Sequence, residues 1–306
     1  MKKYLMILLA GLLILLVGCS QGSKKTDTVG SPFIGGQKGV IAEFLQFGVF
    51  SEANNIEEIF QDETFSLEVD ITNKGEADIE VNNLKVKLSG IEPNSFDPVI
   101  PADKSNTGKL EAVSEFNKQG GKETLSFGTS KYKSQLTANS IDLSFFAKIE
   151  YLYKTSVSVP KVCFKGDLND KSLCTVDETK QVFSSAAPIQ VKTAIERSAG
   201  SGIVSVELDV QNLGSGKVTT PDKDFDYRFD QLAFTVNPTD KWDCKAGGKV
   251  GEARLDSTGK ATISCRLKAE KKLQKSDLYE QELGLTLNYK YRDIINKPLR
   301  VKKQIQ

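Results

Sequence analysis

Histidine is absent from all 306 residues, and the chain holds one tryptophan and only two methionines. Without histidine, Ser-His-Asp catalysis, Cys-His catalysis and every histidine-ligated zinc site are excluded. The usual proton carrier near neutral pH is missing as well. Phosphate-binding loops, GxSxG elbows and HExxH sequences are also lacking. We therefore expect no catalytic residues and no enzymatic activity.

An excess of charge of either sign is missing too. The chain carries 41 basic and 40 acidic residues. Loss of residues 1–18 would remove Lys2 and Lys3 and no acid, leaving 39 basic against 40 acidic residues. A near-neutral protein lacks the positive surface on which affinity for nucleic acid depends. The composition therefore predicts no nucleic-acid partner.

Long apolar runs are confined to the amino terminus. Lys2 and Lys3 precede an almost wholly apolar stretch over residues 5–17, and polar residues follow Gly18-Cys19 at once. This layout is typical of a secretory signal, and about a dozen apolar residues is short for a membrane span. The ending resembles the lipobox of prokaryotic lipoproteins. The resemblance implies a signal peptide over residues 1–18, a diacylglycerol on Cys19 and a place on the extracytoplasmic face of the cell membrane. An uncleaved anchor and an ordinary signal peptide are the alternatives.

Residues 19–38 begin with this cysteine and continue with glycine, serine, threonine and lysine, with few apolar side chains. Such a composition predicts a flexible tether.

The other four cysteines fall into two close pairs, Cys163 with Cys174 and Cys244 with Cys265. An exported chain meets oxidising conditions, so we expect both pairs to form disulfides. A metal site is the rival interpretation, but neither pair has CxxC spacing and no histidine is available to complete such a site.

Strict alternation of apolar and polar residues begins after the tether. It is clearest in the stretches 64–72, 84–88, 141–153, 204–210, 263–267 and 283–291. A period of two predicts half-buried β-strands, and turn residues such as Asn73-Lys74-Gly75 separate them. The sequence therefore predicts an all-β protein.

The two halves of the chain match each other. Residues 67–75 align with residues 206–214 at an offset of 139, with four of nine positions identical. Residues 151–154 align with residues 289–292 at an offset of 138, and Pro160 aligns with Pro298. Two separate matches at nearly one offset indicate a duplicated domain.

Six or seven short strands per copy suit an immunoglobulin-like antiparallel β-sandwich. We expect two in tandem, over residues 39–180 and 181–306. The strand that ends in Asn-x-Gly, at Asn73-Lys74-Gly75 and Asn212-Leu213-Gly214, resembles the start of CARDB-like and S-layer-associated modules. With the lipobox and the tether, the whole chain looks like archaeal surface lipoproteins. The resemblance implies adhesion, spacing or envelope scaffolding without chemistry.

Three groups of side chains are candidates for ligand binding. Asp222, Asp224 and Asp226 alternate and could hold Ca²⁺, although an edge strand with an acidic outer face explains them equally well. A cation could also bind Asp167, Asn169 and Asp170, inside the first cysteine pair, where a polar hairpin tip is the plainer account. Trp242 is expected to pack in the core, with an exposed ligand platform as the alternative.

Together these patterns predict a non-catalytic lipoprotein on the cell surface, with diacylglycerol as its only attached group. Its partner would be another envelope or surface protein or a glycan, bound through loops or sheet edges. A solute-binding lipoprotein of a transporter is one alternative and would require helical α/β lobes. A carboxylate-dependent glycan hydrolase is another and would require two acids facing each other in a groove.

Overall fold

The alternating sequence folds into strands almost throughout. The computed structural model describes residues 30–170 and 172–304, in which the helical elements are two 3-10 turns, Pro93–Ser95 and Ala269–Lys271. The strands before residue 170 are Val40–Phe44 (β1), Val49–Ser51 (β2), Ile56–Phe60 (β3), Thr64–Asn73 (β4), Leu84–Ser89 (β5), Phe96–Asp97 (β6), Asp103–Ser105 (β7), Lys122–Tyr132 (β8) and Ser140–Lys165 (β9). The strands that follow are Glu178–Lys180 (β10), Phe183–Ser184 (β11), Ile189–Ser198 (β12), Val204–Asn212 (β13), Lys217–Thr219 (β14), Asp230–Asn237 (β15), Trp242–Ala246 (β16), Lys249–Val250 (β17), Glu252–Leu255 (β18), Lys260–Leu267 (β19) and Leu278–Lys302 (β20).

Two very long strands form the middle of the molecule. β9 has 26 residues and β20 has 25, and they pair antiparallel from Ser140 opposite Lys302 to Lys165 opposite Leu278. At about 3.3 Å per residue this ladder is about 80 Å long. β5 and β7 extend the sheet beyond β9, and β15 and β18 extend it beyond β20. With β2, β3, β11 and β14 attached, these strands form what we call the back sheet.

Two smaller sheets complete the fold. The first front sheet has the order β1-β4-β8-β6, and the second front sheet has the order β10-β12-β13-β19-β16-β17. Their strands alternate as the sequence predicts: apolar residues such as Leu67 and Val206 are buried, and polar residues lie on the opposite face. Each front sheet therefore supplies one apolar layer to the core.

Both front sheets cover the same face of the back sheet. Tyr153 lies opposite Tyr289 and Tyr151 lies opposite Tyr291 in the β9–β20 ladder, so these side chains share one face. From that face the Tyr153 hydroxyl reaches Asn73 at the end of β4. The Tyr291 hydroxyl reaches Asn212 at the end of β13. The front sheets consequently lie side by side, and their outer faces point in the same direction.

Aromatic side chains fill the core at both ends of the molecule. In the first half, Phe145 of the back sheet lies 6.2 Å from Phe65 and 5.1 Å from Phe47, measured between ring centroids. In the second half, Phe164 of the back sheet lies 5.7 Å from Trp242 of the second front sheet. Offset and edge-on aromatic pairs of this kind each contribute about 1 kcal/mol beyond the burial of their surface.

The two halves are related by an approximate twofold axis. Leu152 and Lys290 occupy equivalent positions at the offset of 138, and they pair directly with each other in the ladder. β9 and β20 are equivalent strands, as are β4 and β13, and β8 and β19. The local axis between antiparallel strands is perpendicular to the sheet, which keeps the two front sheets on one side.

The prediction of an all-β protein with antiparallel sheets is confirmed, and its layered sheets are consistent with a β-sandwich architecture. The immunoglobulin-like assignment stays a prediction. So does the division after residue 180: Ser31–Gln306 form one compact unit, and β10, which precedes that boundary, pairs with β12 in the second front sheet.

Candidate binding surface

The predicted lipid site cannot be placed on this fold. Cys19 and the predicted signal segment, residues 1–18, lie outside the described residues, as does most of the predicted tether. In residues 30–170 and 172–304 there is no helix with the length and hydropathy needed to cross a membrane.

Both predicted cysteine pairs form disulfides, Cys163 with Cys174 and Cys244 with Cys265. The second disulfide joins β16 to β19 at two residues that lie directly opposite each other. The first closes a loop at the end of β9. All four cysteines are buried, so both bonds belong to the structural framework.

The loop inside the first disulfide already surrounds a cation, the side chain of Lys165. Its buried ammonium group donates to the carbonyl oxygens of Asp170 at 2.7 Å, Ser172 at 3.0 Å and Cys174. Asp167, one of the residues considered for cation binding, lies 3.6 Å from Lys275. The backbone acceptors of this loop therefore bind a lysine of the same chain.

Asp222, Asp224 and Asp226 lie in the loop between β14 and β15, and residues 220–229 form no strand, contrary to the edge-strand interpretation. Across the described part of the chain, no three acidic or cysteine side chains converge in a way that could hold a metal ion. Asp226 instead binds Arg228, with Nη2 2.6 Å from Oδ2. That hydrogen-bonded guanidinium lowers the pKa of Asp226 to about 2.

Aromatic residues hold this loop against the back sheet. The Arg292 guanidinium lies 3.8 Å from the ring centroid of Phe225, and the Arg254 guanidinium lies 4.2 Å from that of Phe229. Cation–π contacts of this geometry contribute about 0.5–1 kcal/mol at exposed sites. Tyr227 is 92% exposed at the tip of the loop.

Trp242 is buried against Phe164, so the alternative of an exposed ligand platform is wrong. Among the described residues, its indole N–H finds no hydrogen-bond partner.

The matched Asn and Tyr residues make the same hydrogen bonds in the two halves. Asn73 Nδ2 donates to the carbonyl of Ala77 at 2.8 Å, and its Oδ1 accepts from the Tyr153 hydroxyl at 3.0 Å. Asn212 Nδ2 donates to the carbonyl of Gly216 at 2.9 Å, and its Oδ1 accepts from the Tyr291 hydroxyl. Burial raises the pKa of Tyr291 to about 12, which keeps that hydroxyl protonated as a donor.

The outer faces of the front sheets share six polar residues. Six outward positions of the equivalent strands are identical in the two halves: Ser66 and Ser205, Glu68 and Glu207, Asp70 and Asp209, Lys122 and Lys260, Thr124 and Thr262, Ser126 and Ser264. The registers match too, because Asp70 lies opposite Thr124 as Asp209 lies opposite Thr262. We call these two sets of six the repeated polar faces.

Each repeated polar face is organised around its aspartate. Asp70 accepts from the Thr124 hydroxyl at 2.5 Å and lies 2.6 Å from the Lys122 ammonium. Asp209 accepts from the Thr262 hydroxyl at 2.9 Å and from Thr193 at 2.6 Å. Cross-strand pairs of this kind contribute about 0.2–1 kcal/mol each. The aspartates are therefore held in fixed positions on both faces.

Apart from matched residues such as Asn73 with Asn212 and Tyr151 with Tyr289, equivalent positions in the core and on the back sheet have not been retained in this way. The apolar inward positions of the same strands all differ: Phe65 and Val204, Leu67 and Val206, Val69 and Leu208, Ile71 and Val210, Leu125 and Ile263, Phe127 and Cys265. Solvent-facing positions of the back sheet differ as well: Asp142 and Glu280, Ser144 and Glu282, Phe146 and Gly284, Lys148 and Thr286, Glu150 and Asn288. Surface substitutions usually change stability by less than about 0.5 kcal/mol, so stability alone does not explain why these six pairs of residues are identical.

Sequence reasoning missed the repeated polar faces. The signal was present, because the strand at residues 122–126 aligns with residues 260–264 at the same offset of 138 that matches the tyrosines. What the sequence lacked was the register that places these residues beside Asp70 and Asp209. No protein-family model, curated protein or solved structure matches this chain.

Proposed function

We propose that this chain is a non-catalytic surface lipoprotein, anchored by a diacylglycerol on Cys19, that binds another component of the cell envelope through its repeated polar faces. The observation that carries the proposal is the identity of six outward residues on two faces that point in the same direction. Two matching surfaces, on front sheets that share one continuous back sheet, can engage a repetitive partner, protein or glycan, at two points, which raises the overall affinity well above that of either contact.

Adhesion or scaffolding fits this arrangement better than solute transport. The described residues contain no helix beyond the two 3-10 turns, whereas a solute-binding lipoprotein requires helical α/β lobes. The complete lack of histidine also favours binding over catalysis.

The anchor is tested by mass spectrometry of the protein from its native membrane. We expect the peptide that begins at Cys19 to carry a thioether-linked diacylglycerol, and a Cys19→Ser variant to leave the membrane fraction. An unmodified Cys19, or a chain that still begins at Met1, would contradict the anchor.

The repeated polar faces are tested with the lipid-free Cys19→Ser chain and isolated cell envelopes in a cosedimentation assay. Lys122→Glu and Lys260→Glu should each weaken binding, and the double variant should weaken it at least tenfold because both contacts are lost. Lys87→Glu is the matched control, since Lys87 is an exposed lysine of β5 in the back sheet. Equal binding by the double variant and the control would contradict the role of these faces.

A further inference from the structure

One edge of the back sheet is open beside the first front sheet, and the equivalent edge beside the second front sheet is closed. Along its outer edge, β20 pairs with β15 up to Asn288, with β14 at residues 290–292 and with β3 from Leu299 onward. Within the described residues no strand pairs with that edge at residues 293–298. The equivalent stretch of β9, residues 155–160, pairs with β11 at Val157 and Ser158.

The backbone groups at the equivalent edges of β9 and β20 form different hydrogen bonds. Ser156 donates its N–H to the Ser185 hydroxyl at 2.9 Å and accepts from the Ser185 N–H at 2.8 Å. Ile294 is equivalent to Ser156, and its N–H is bonded at 2.9 Å to the adjacent Asp293 carboxylate. The N–H of Ser156 is thus bonded to another segment of the chain. Among the described residues, the N–H of Ile294 is bonded to the adjacent side chain instead.

Apolar side chains lie uncovered at the open edge. Ile294 is 55% exposed. Ile295 is half-buried, whereas its equivalent Val157 is only 4% exposed beneath β11. Unpaired edges that carry apolar residues are sites at which a further strand can add.

A groove of about 380 Å³ follows this edge. Its floor includes Tyr151, Tyr291 and Ile295, and its walls are residues 40–42 of β1 and residues 213–215. β1 is an edge strand of the first front sheet. We call the groove together with the free edge at residues 293–298 the side slot.

The equivalent slot, beside the second front sheet, shows what kind of group fills such a slot. Val191 of β12 is equivalent to Ala42 of β1, because each lies opposite the matched residues Val210 and Ile71. The Ser184 hydroxyl bonds both the N–H and the carbonyl of Val191 at 3.2 Å, while the Ser184 backbone pairs with β9. One extended segment thus joins the front-sheet edge to the back-sheet edge.

Residues 30–36 do not occupy the side slot in the way that the residues preceding β12 occupy theirs. The N–H groups of Ile34 and Gly35 both donate to the Glu76 carboxylate at 2.9 Å. The Gly36 carbonyl accepts from Ala187 and from the Gln190 amide. These residues are therefore held at Glu76, Ala187 and Gln190, and only residues 37–39 line the groove.

We propose that the side slot binds an extended segment of a partner protein, which adds as a strand to the edge at Ile294 and Asn296. Main-chain hydrogen bonds supply the affinity, a small hydroxyl residue bonds the β1 edge at Ala42, and an apolar residue covers Ile295. The proposal depends neither on the lipid anchor nor on the repeated polar faces.

The probe is a labelled peptide with the sequence of residues 181–188, which occupy the equivalent slot. It is titrated into the lipid-free Cys19→Ser chain, and binding is followed by fluorescence anisotropy and by amide hydrogen exchange. We expect saturable binding, with exchange at Ile294 and Asn296 slowed by the peptide. Ser156 and Ser158 should exchange slowly with or without it.

Ile294→Lys should weaken peptide binding at least tenfold, because a charged side chain blocks edge pairing. Val49→Lys is the matched control: Val49 is an apolar residue, 72% exposed, on β2, which pairs with β3 and does not line the groove. Equal affinity of the two variants would overturn the proposal. So would the absence of saturable binding up to about 1 mM peptide, which corresponds to only about 4 kcal/mol of binding free energy.

Two further results would assign the side slot to another occupant and overturn the proposal that a partner protein binds there. Slow exchange at Ile294 and Asn296 in the protein alone, lost when residues 19–29 are deleted, would show that the chain fills its own slot. Protection that rises with protein concentration alongside dimer formation would show that a second copy fills it.

Discussion

Asn73 and Asn212 show how one residue type fixes the same turn in two places with unequal consequences. Asn73 is fully buried, and its amide also approaches the carbonyls of Leu110 and Glu111 at 3.1 and 3.2 Å. Asn212 is partly exposed, and within the described chain its side chain bonds its own turn and Tyr291. The first asparagine therefore ties more of the structure together than the second.

We predict that Asn73→Ala lowers the free energy of unfolding by about 3 kcal/mol and Asn212→Ala by about 1 kcal/mol, because each lost hydrogen bond costs about 1 kcal/mol and buried partners left unpaired cost more. Urea unfolding measures both. Asn139→Ala, at an exposed position, is the control and should change little. If Asn73→Ala unfolds at the same urea concentration as the control, the proposed role of this side chain is wrong.

Glu196 is the buried acid with the most consequence for pH. It is completely buried, accepts from the Cys163 N–H at 3.0 Å and lies 3.1 Å from the Lys180 ammonium. Burial raises its pKa to about 7 from an ordinary value of 4.5, despite the lowering effect of these two partners. Between pH 4.5 and 7 the folded state consequently binds a proton that the unfolded state releases.

We predict from this that the Glu196 contribution favours folding at acidic pH and is lost as the pH rises to 7. The loss amounts to about 3 kcal/mol. Urea unfolding of the wild type and of Glu196→Gln at a series of pH values measures it. The glutamine variant keeps an acceptor for Cys163 but cannot titrate, so its stability should fall less over this interval. Parallel curves for the two proteins would exclude the effect.

At the scale of elements, the alternation of apolar and polar residues predicted the strands that have one face exposed to solvent. It identified β4, β13 and the first part of β9, but it gave no sign that β9 continues to Lys165. Beyond Tyr153 the pattern blurs because Val157, Ser158 and Val159 are all buried, with β11 paired alongside and an irregularity in the ladder with β20. Short strands such as β10 and β11 carry too few residues to show a period.

The two disulfides stabilise different elements to a similar extent. Their cysteines lie 11 and 21 positions apart, and the chain-entropy relation gives about 3 kcal/mol for each. We predict that Cys163→Ser/Cys174→Ser and Cys244→Ser/Cys265→Ser lower the unfolding free energy by comparable amounts, as measured by urea denaturation.

Limited proteolysis should then separate the two double variants. Loss of Cys163–Cys174 frees a loop that otherwise depends mainly on Lys165, so cleavage within residues 166–173 should accelerate. Loss of Cys244–Cys265 leaves β16 and β19 paired by their backbone, and cleavage there should stay slow. Equal protection of the first loop in both variants would contradict this assignment.

For the molecule as a whole, the sequence indicated duplication but not how the copies join. The alternation of apolar and polar residues in an edge strand is the same whether that edge is free or paired with another strand. The connection between the copies depends on the register of β9 against β20. This register places Tyr151 opposite Tyr291, although the two residues are far apart in the chain. The same is true of the repeated polar faces: their residues were visible in the sequence, but only the tertiary arrangement turns them toward one side.

The shared ladder leads to a prediction about the separate halves. A fragment of residues 30–180 contains β9 without β20 and would expose an unpaired edge 26 residues long, which is a strong template for pairing with another chain. Because β20 is the equivalent of β9 about a local twofold axis, a second copy of the fragment can take its place. We expect a dimer or larger aggregates in light-scattering chromatography, and the intact Cys19→Ser chain as the control should not form this β9-paired dimer. A stable, folded monomer of residues 30–180 would instead support two independent domains divided after residue 180, since the first sandwich would then need no partner at its β9 edge.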